Sequence, residues 1–279
     1  MHLQMKPIVF IIFLLSTSLN AQNNTLLNAI RSGNIATVDS ILSDCNCINE
    51  TSNKYFNWTA LHEAVKSGNI TITKSLIRKG ANINAVHDNF GTPLMYATEL
   101  GELKIIKLLI SSGASLMLRN SNGYSLVQNI PISGNMDVLK YYQSLNIDLK
   151  DKALKDGWTI MITAAGDGTL EMFKYLVETM KFPTDDKTID NYSEFLAAVN
   201  NSNAPIVKYL LEKGANPNEK NMLGESALII ASKEGSSEVS SLLLHKGADK
   251  NITVEYMGDS VSYKAIDFAK TDSLRSILK

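Results

Sequence analysis

Apolar positions recur along this chain with a period close to 33 residues. Aligned on one apolar residue, the repeats lead with Leu26, Leu61, Leu94, Val127, Met161, Phe195, Leu228 and Ile266, at intervals of 35, 33, 33, 34, 34, 33 and 38. Three places after each lead stands a small or apolar residue: Ala29, Ala64, Ala97, Ile130, Ala164, Ala198, Ala231 and Ala269. Seven places after it stands a turn residue in seven of the units, Gly33, Gly68, Gly101, Gly134, Gly168, Ser202 or Gly235, which ends a short helix by taking positive φ. A second apolar-periodic segment follows, as in 102–113, 204–214 and 238–247, and stops at Gly80, Gly113, Asn146, Gly214 or Gly247. The pattern predicts helix, tight turn, helix and a polar connector, eight times over. Each helix falls short of the ~12–15 residues at which isolated helices become stable in water, so stacking of neighbours must supply the core.

Local chemistry refines the elements. Thr59, Thr92, Ser125, Thr159, Ser193 and Ser226 each stand two before a lead, where a hydroxyl caps the first helix by accepting from an exposed amide. The fourth unit departs: Pro131 falls inside its first helix, removing a donor and clashing with the preceding turn, which predicts a kink or short irregular turn over 129–133. Pro205, in the first turn of its helix, is compatible with it. The longer connector before the last unit carries Ile252, Val254, Tyr256 and Val261 and reads as an extended hairpin. The eighth unit is truncated, a first helix and a short second one with a polar surface suited to a terminal cap, and residues 24–45 cap the other end.

In the segments 58–69 and 91–102 the chain resembles the ankyrin-repeat family. Thr59, Leu61, His62 and Ala64 match the family's helix-start motif in one unit, and Thr92, Pro93, Leu94 and Ala97 in the next. The Gly-Ala pair that closes the family's second helix returns at Gly80–Ala81, Gly113–Ala114, Gly214–Ala215 and Gly247–Ala248. The resemblance implies an all-α solenoid of about eight helix-turn-helix units with short β-hairpin fingers. It also implies protein binding as the activity.

Composition is consistent with a folded chain: 279 residues, 44% hydrophobic, with 27 basic against 28 acidic side chains. A net charge of -1 without long runs of either sign suggests no nucleic-acid or membrane-surface patch. Residues 1–21 combine Lys6, an apolar stretch over 8–15 and a polar, small-residue end at Ala21. This is the layout of a secretory signal peptide, and its apolar part is well short of the ~18–20 residues that span a bilayer. The expectation is therefore an exported protein, periplasmic or secreted, with residues 22–279 as a single repeat domain free of the membrane after cleavage, and a monomer.

No metal-ligand spacing, nucleophile elbow or phosphate-binding glycine loop is present in the sequence, so no enzyme and no cofactor is expected. Cys45 and Cys47 are the two cysteines. They are open to three readings: small hydrophobes in a connector, a local disulfide, or a soft-metal or redox site that would make the chain a thiol- or metal-responsive envelope protein. The stronger signal lies just ahead of the cap positions. Three before each lead stand Trp58, Gly91, Tyr124, Trp158, Tyr192, Glu225 and Tyr263, with Phe90 beside Gly91. The resemblance places this position on the finger, facing the concave groove that family members use to hold partners. Trp58, Phe90, Tyr124, Trp158, Tyr192 and Tyr263 are therefore the candidate contacts for an unidentified protein partner, since aromatic side chains combine rigid apolar area with polar tips. Packing of the rings against one another is the competing role. Mixed charge five and six places after each lead, as at Lys66, Glu99, Lys233 and Glu234, favours a protein over a nucleic acid as ligand.

Overall fold

The computed structural model describes residues 24–45, 47–51, 57–184, 187–257 and 261–279; the expected signal peptide lies outside them. The chain divides into two compact units at the Leu126–Val127 bond. In the first, helix pairs succeed one another: α1 (24–31) and α2 (Ile35–Asp44), α3 (Ala60–Lys66) and α4 (Ile70–Arg78), α5 (Pro93–Glu99) and α6 (Leu103–Ser111). In the second, α7 (Leu126–Asn129) begins at the division and precedes α8 (Met136–Ser144), α9 (Ile160–Gly166), α10 (Leu170–Lys174), α11 (Glu194–Asn200), α12 (Ala204–Glu212), α13 (Ala227–Glu234) and α14 (Ser237–His245). A two-stranded antiparallel hairpin, β1 (Val254–Glu255) with β2 (Ser262–Tyr263), follows where an extended connector is expected. The final unit opens with a single 3-10 turn, Ala265–Phe268, instead of the expected α-helix, and closes with α15 (Asp272–Leu278).

The periodic residues do what their spacing implies. Ala64, Ala97, Ala164, Ala198 and Ala231 are fully buried, so first helices of adjacent repeats approach closely. Leu76, Ile106 and Leu109 in the first compact unit, and Tyr142, Phe173, Val207 and Leu243 in the second, fill the layer between helices without exposure to water. Hydroxyl caps are in place at Thr59, Thr92, Thr159, Ser193 and Ser226, each accepting from the amide three residues on. Pro131 has the expected consequence: α7 stops after four residues and the chain turns over 130–133 through i→i−3 bonds, Ile130 N–H to Val127 O and Ile132 N–H to Asn129 O.

Two turn residues behave differently from the rest of their column. Ser202 adopts left-handed φ (+56°) without being glycine. Gly168 does not take positive φ; a Cβ there would come within 2.6 Å of the Ala164 carbonyl oxygen, so its role is close backbone approach.

Connectors are held to the next repeat by a second device, asparagine side chains bonded to backbone. In the first compact unit Asn49 donates to Gly80 O (3.2 Å) and accepts from Asn82 N–H (2.6 Å), and Asn84 accepts from Ser115 N–H (2.9 Å). In the second, Asn218 donates to Gly247 O (3.5 Å) and accepts from Asp249 N–H (2.7 Å). Fingers are short antiparallel bridges, His87 with Gly91, Lys187 with Ser193 and Lys220 with Ser226. Neighbouring fingers bond directly: Ile189 N–H to Asp156 O (2.8 Å) and Met222 N–H to Asp190 O (3.1 Å).

Candidate partner-binding site

All six candidate aromatics are half-buried in the folded chain. In the first compact unit the structure brings Trp58 and Phe90 together, ring centroids 5.8 Å apart and nearly perpendicular. Trp58 also meets His87 and Tyr96 edge-on at 5.2 and 5.3 Å, and Phe90 lies 4.9 Å from Tyr96. The result is one aromatic cluster spanning two fingers and two first helices. Its polar handle is Glu63, buried to 3% exposure, which accepts from the Trp58 indole N–H (2.7 Å) and from Arg31 Nε (2.8 Å). Burial pushes the Glu63 carboxyl up, but the hydrogen bonds from Arg31 and Trp58 outweigh it and hold the group below the usual carboxylate range. The Lys66 ammonium sits over the Trp58 ring at 5.8 Å, so the tryptophan is fixed by a carboxylate at its edge and a cation on its face. Tyr124 stands further along the same compact unit, its backbone N–H donating to Asn120 Oδ1 (3.0 Å).

Beneath the cluster is His62. Its Nε2 donates to the Gly91 carbonyl (3.1 Å), so Nδ1 accepts from Thr59 in the neutral ring. One side chain thereby caps its own helix and anchors the next finger. Burial lowers the His62 pKa to about 4, which keeps the ring neutral at physiological pH.

In the second compact unit Trp158, Tyr192 and Tyr263 occupy separate repeats. Trp158 has its backbone N–H bonded to Asp156 Oδ1 (3.1 Å). The Tyr192 hydroxyl accepts from Asn221 Nδ2 (3.4 Å). Tyr263 belongs to a cluster with Tyr256 (6.1 Å) and Phe268 (5.7 Å). Where the column departs from aromatic character, Glu225 accepts from Lys233 (2.5 Å), the Tyr256 hydroxyl (2.6 Å) and Asn221 (2.7 Å). Burial raises the Glu225 carboxyl, and those three donors more than reverse the effect. Lys233 in turn lies over Tyr256 at 5.6 Å and Phe268 at 5.8 Å.

Sequence reasoning missed His87, Tyr96, Glu63 and Tyr256 as members of these clusters. The available signal was Lys66 and Lys233, both five places after a lead; each lies over a ring, and Lys233 is also ion-paired with Glu225. Cys45 and Cys47 are joined to each other, with Cα atoms 5.3 Å apart. Among the described residues no group of three or more His, Cys, Asp or Glu side chains converges as a metal site.

Buried alanines, hydroxyl caps and bridged fingers in a repeating 33-residue frame match the family model for ankyrin repeats (three copies) over residues 26–120, 127–221 and 184–254. The chain belongs to the ankyrin-repeat family. It is 28% identical to the ankyrin repeat protein FPV230 of Fowlpox virus over 224 residues, 80% of this chain and 98% of that one. Over 161 residues, 57% of this chain, it is 27% identical to the ankyrin repeat and KH domain-containing protein mask-1 of Caenorhabditis elegans, of which it spans only 6%. The human ASB11 ankyrin repeat domain overlays with a TM-score of 0.46 at 19% identity, covering 91% of this chain and 95% of that one. Ankyrin repeats are generally non-catalytic protein–protein interaction modules.

Proposed function

We propose that this ankyrin-repeat chain is an exported binding protein that holds a partner protein on the face formed by its fingers and first helices. The observation that carries this reading is the state of the aromatic column. Trp58, Phe90, Tyr124, Trp158, Tyr192 and Tyr263 remain half-exposed, where pure core residues such as Leu61, Leu94 and Met161 three or four places later are sealed from water. Trp58 is moreover pinned by Glu63 and Lys66, so its ring has little freedom left to lose on binding. Rigid aromatic anchors surrounded by polar groups are the composition of interface hot spots. Export rests on the layout of residues 1–21, and the mechanism is preordered presentation of side chains from a stacked frame.

The test is affinity capture from the envelope and medium of the source cell, comparing mature protein with a variant carrying Trp58→Ala, Tyr124→Ala, Trp158→Ala and Tyr192→Ala. A protein retained by the parent and lost by the variant, with an unchanged helical far-UV spectrum, is the expected result. Loss of the helical spectrum would assign the column to packing, and equal retention would remove it from the interface. N-terminal sequencing of the mature protein tests export: cleavage near Ala21 is expected, and an intact N-terminus overturns it.

A further inference from the structure

Cys45 and Cys47 are the two cysteines of the chain, and the binding face described above uses neither. Cys45 caps the C-terminus of α2 in extended conformation, its N–H bonded to Ile41 O (3.1 Å). Cys47 lies in the connector and is sealed from water, whereas Cys45 is half-buried. Two residues beyond Cys47, Asn49 pins the connector to the second repeat through Gly80 O and Asn82 N–H. The disulfide therefore joins the end of one helix to a segment that is already held in place.

Such a bond does little for stability. In the chain-entropy account a cross-link stabilises by removing freedom from the unfolded chain, and the gain grows with the loop it closes. Here the sequence separation is 2, and residues two apart cannot lie further than roughly 7 Å from each other in any conformation. The bond removes almost no freedom, so its conservation of shape is not what distinguishes it; its chemistry is. Structural disulfides resist reduction by the glutathione pool, while exposed ones are the labile, regulatory or catalytic class. Exchange needs a sulfur that an incoming thiolate can reach, and of this pair Cys45 is the accessible one.

We propose that the Cys45–Cys47 disulfide is a thiol–disulfide exchange site that accepts two electrons from an external thiol pair, with Cys45 as the sulfur attacked. A donor thiolate bonds to Cys45 Sγ and the Cys45–Cys47 bond breaks; Cys47 leaves with the electron pair and takes up a proton. A second donor thiolate then attacks the donor sulfur of the mixed disulfide, which frees Cys45 as a thiol once it is protonated. Two donor thiols have become one disulfide, and the protein disulfide has become two thiols. The donor is a protein dithiol or two molecules of a small thiol such as glutathione, which present the same nucleophile. The hydrogen bonds of α2 and of Asn49 do not run through the sulfurs, so the exchange leaves the first repeat folded. The site is independent of the aromatic column and does not rest on its role.

The experiment is alkylation of the folded protein followed by intact mass, before and after incubation with excess glutathione or with a short synthetic peptide carrying two cysteines. No alkylation beforehand, two alkylated cysteines afterwards and an unchanged helical far-UV spectrum are expected. Reduction by the peptide alone identifies a protein dithiol as the donor, and reduction by glutathione identifies the small thiol. With oxidised glutathione, Cys47→Ser should form a mixed disulfide at Cys45 roughly ten-fold faster or more than Cys45→Ser forms one at the sealed Cys47. The double variant Cys45→Ser with Cys47→Ser should keep its helical spectrum and its urea midpoint. Two alkylated cysteines before any reductant, a bond reduced by these thiols only in denaturant, faster reaction at Cys47, or collapse of the midpoint in the double variant would overturn the proposal.

Discussion

At the scale of single residues, His62 shows how far a side chain's environment can depart from its sequence motif. The helix-start position calls for a hydrogen-bonding side chain, and the fold then buries it completely and ties both ring nitrogens. Because its folded pKa, about 4, lies below the ordinary value of 6.5, the unfolded chain binds the extra proton between these limits. The contribution of the neutral ring is full above pH 6.5 and is lost as pH falls toward 4, amounting to roughly 3 kcal/mol at most. Urea titrations at pH 7 and pH 4.5 should show a larger stability drop in the parent than in His62→Gln; equal drops would contradict the assignment. Gly168→Ala makes a second case. The added Cβ would meet backbone, the Ala164 carbonyl and Cα at 2.6 and 2.9 Å, which cannot move aside as a side-chain end could. A loss of about 1–3 kcal/mol in chemical denaturation is expected.

At the scale of elements, helix boundaries follow caps and breakers that act within a few residues. α5 runs from its Thr92 cap and Pro93 to Glu99, while α7 is halted by Pro131 after one turn. These boundaries were legible because hydroxyl caps and proline are local causes. The π turn over Tyr175–Thr179, which continues α10, was less so, since an added residue shifts phase without announcing where the helix will widen. Packing within an element pair dominates its energy. Leu109 in α6 is fully buried between helices, and Leu109→Ala should cost about 2–5 kcal/mol, read as a lower urea midpoint with the helical spectrum retained.

At the scale of the whole molecule, stability is the sum of repeats and their nearest-neighbour interfaces. The last repeat covers α13 and α14: the 3-10 turn packs on α13, Ser232 donates to Ala265 O (2.5 Å), and α15 packs on α14. Removing residues 250–279 should therefore uncover first-helix residues such as Leu228 and Ala231, lower the thermal midpoint and increase self-association in light scattering, while far-UV ellipticity falls only in proportion to the residues removed. An unchanged midpoint would show that the terminal repeat contributes no cap.

The sequence by itself determined the repeat, the position of each helix except the first of the last repeat, and the place of the aromatic residues ahead of the caps. Each follows from causes that recur every 33 or 34 residues and act locally: small residues for close approach, hydroxyls for caps, glycine for the turn. Only tertiary structure decided what each recurrent residue touches. His87 and Tyr96 meet Trp58 from 29 and 38 positions away, and Tyr256 reaches Glu225 from 31. A cavity lined by Leu149, Ile160 and Phe182 assembles three segments, 149–152, 159–160 and 182–183, whose proximity no local pattern encodes. The reason is geometric: stacking places residues one period apart side by side, and a shift of one residue in that register changes which of them meet.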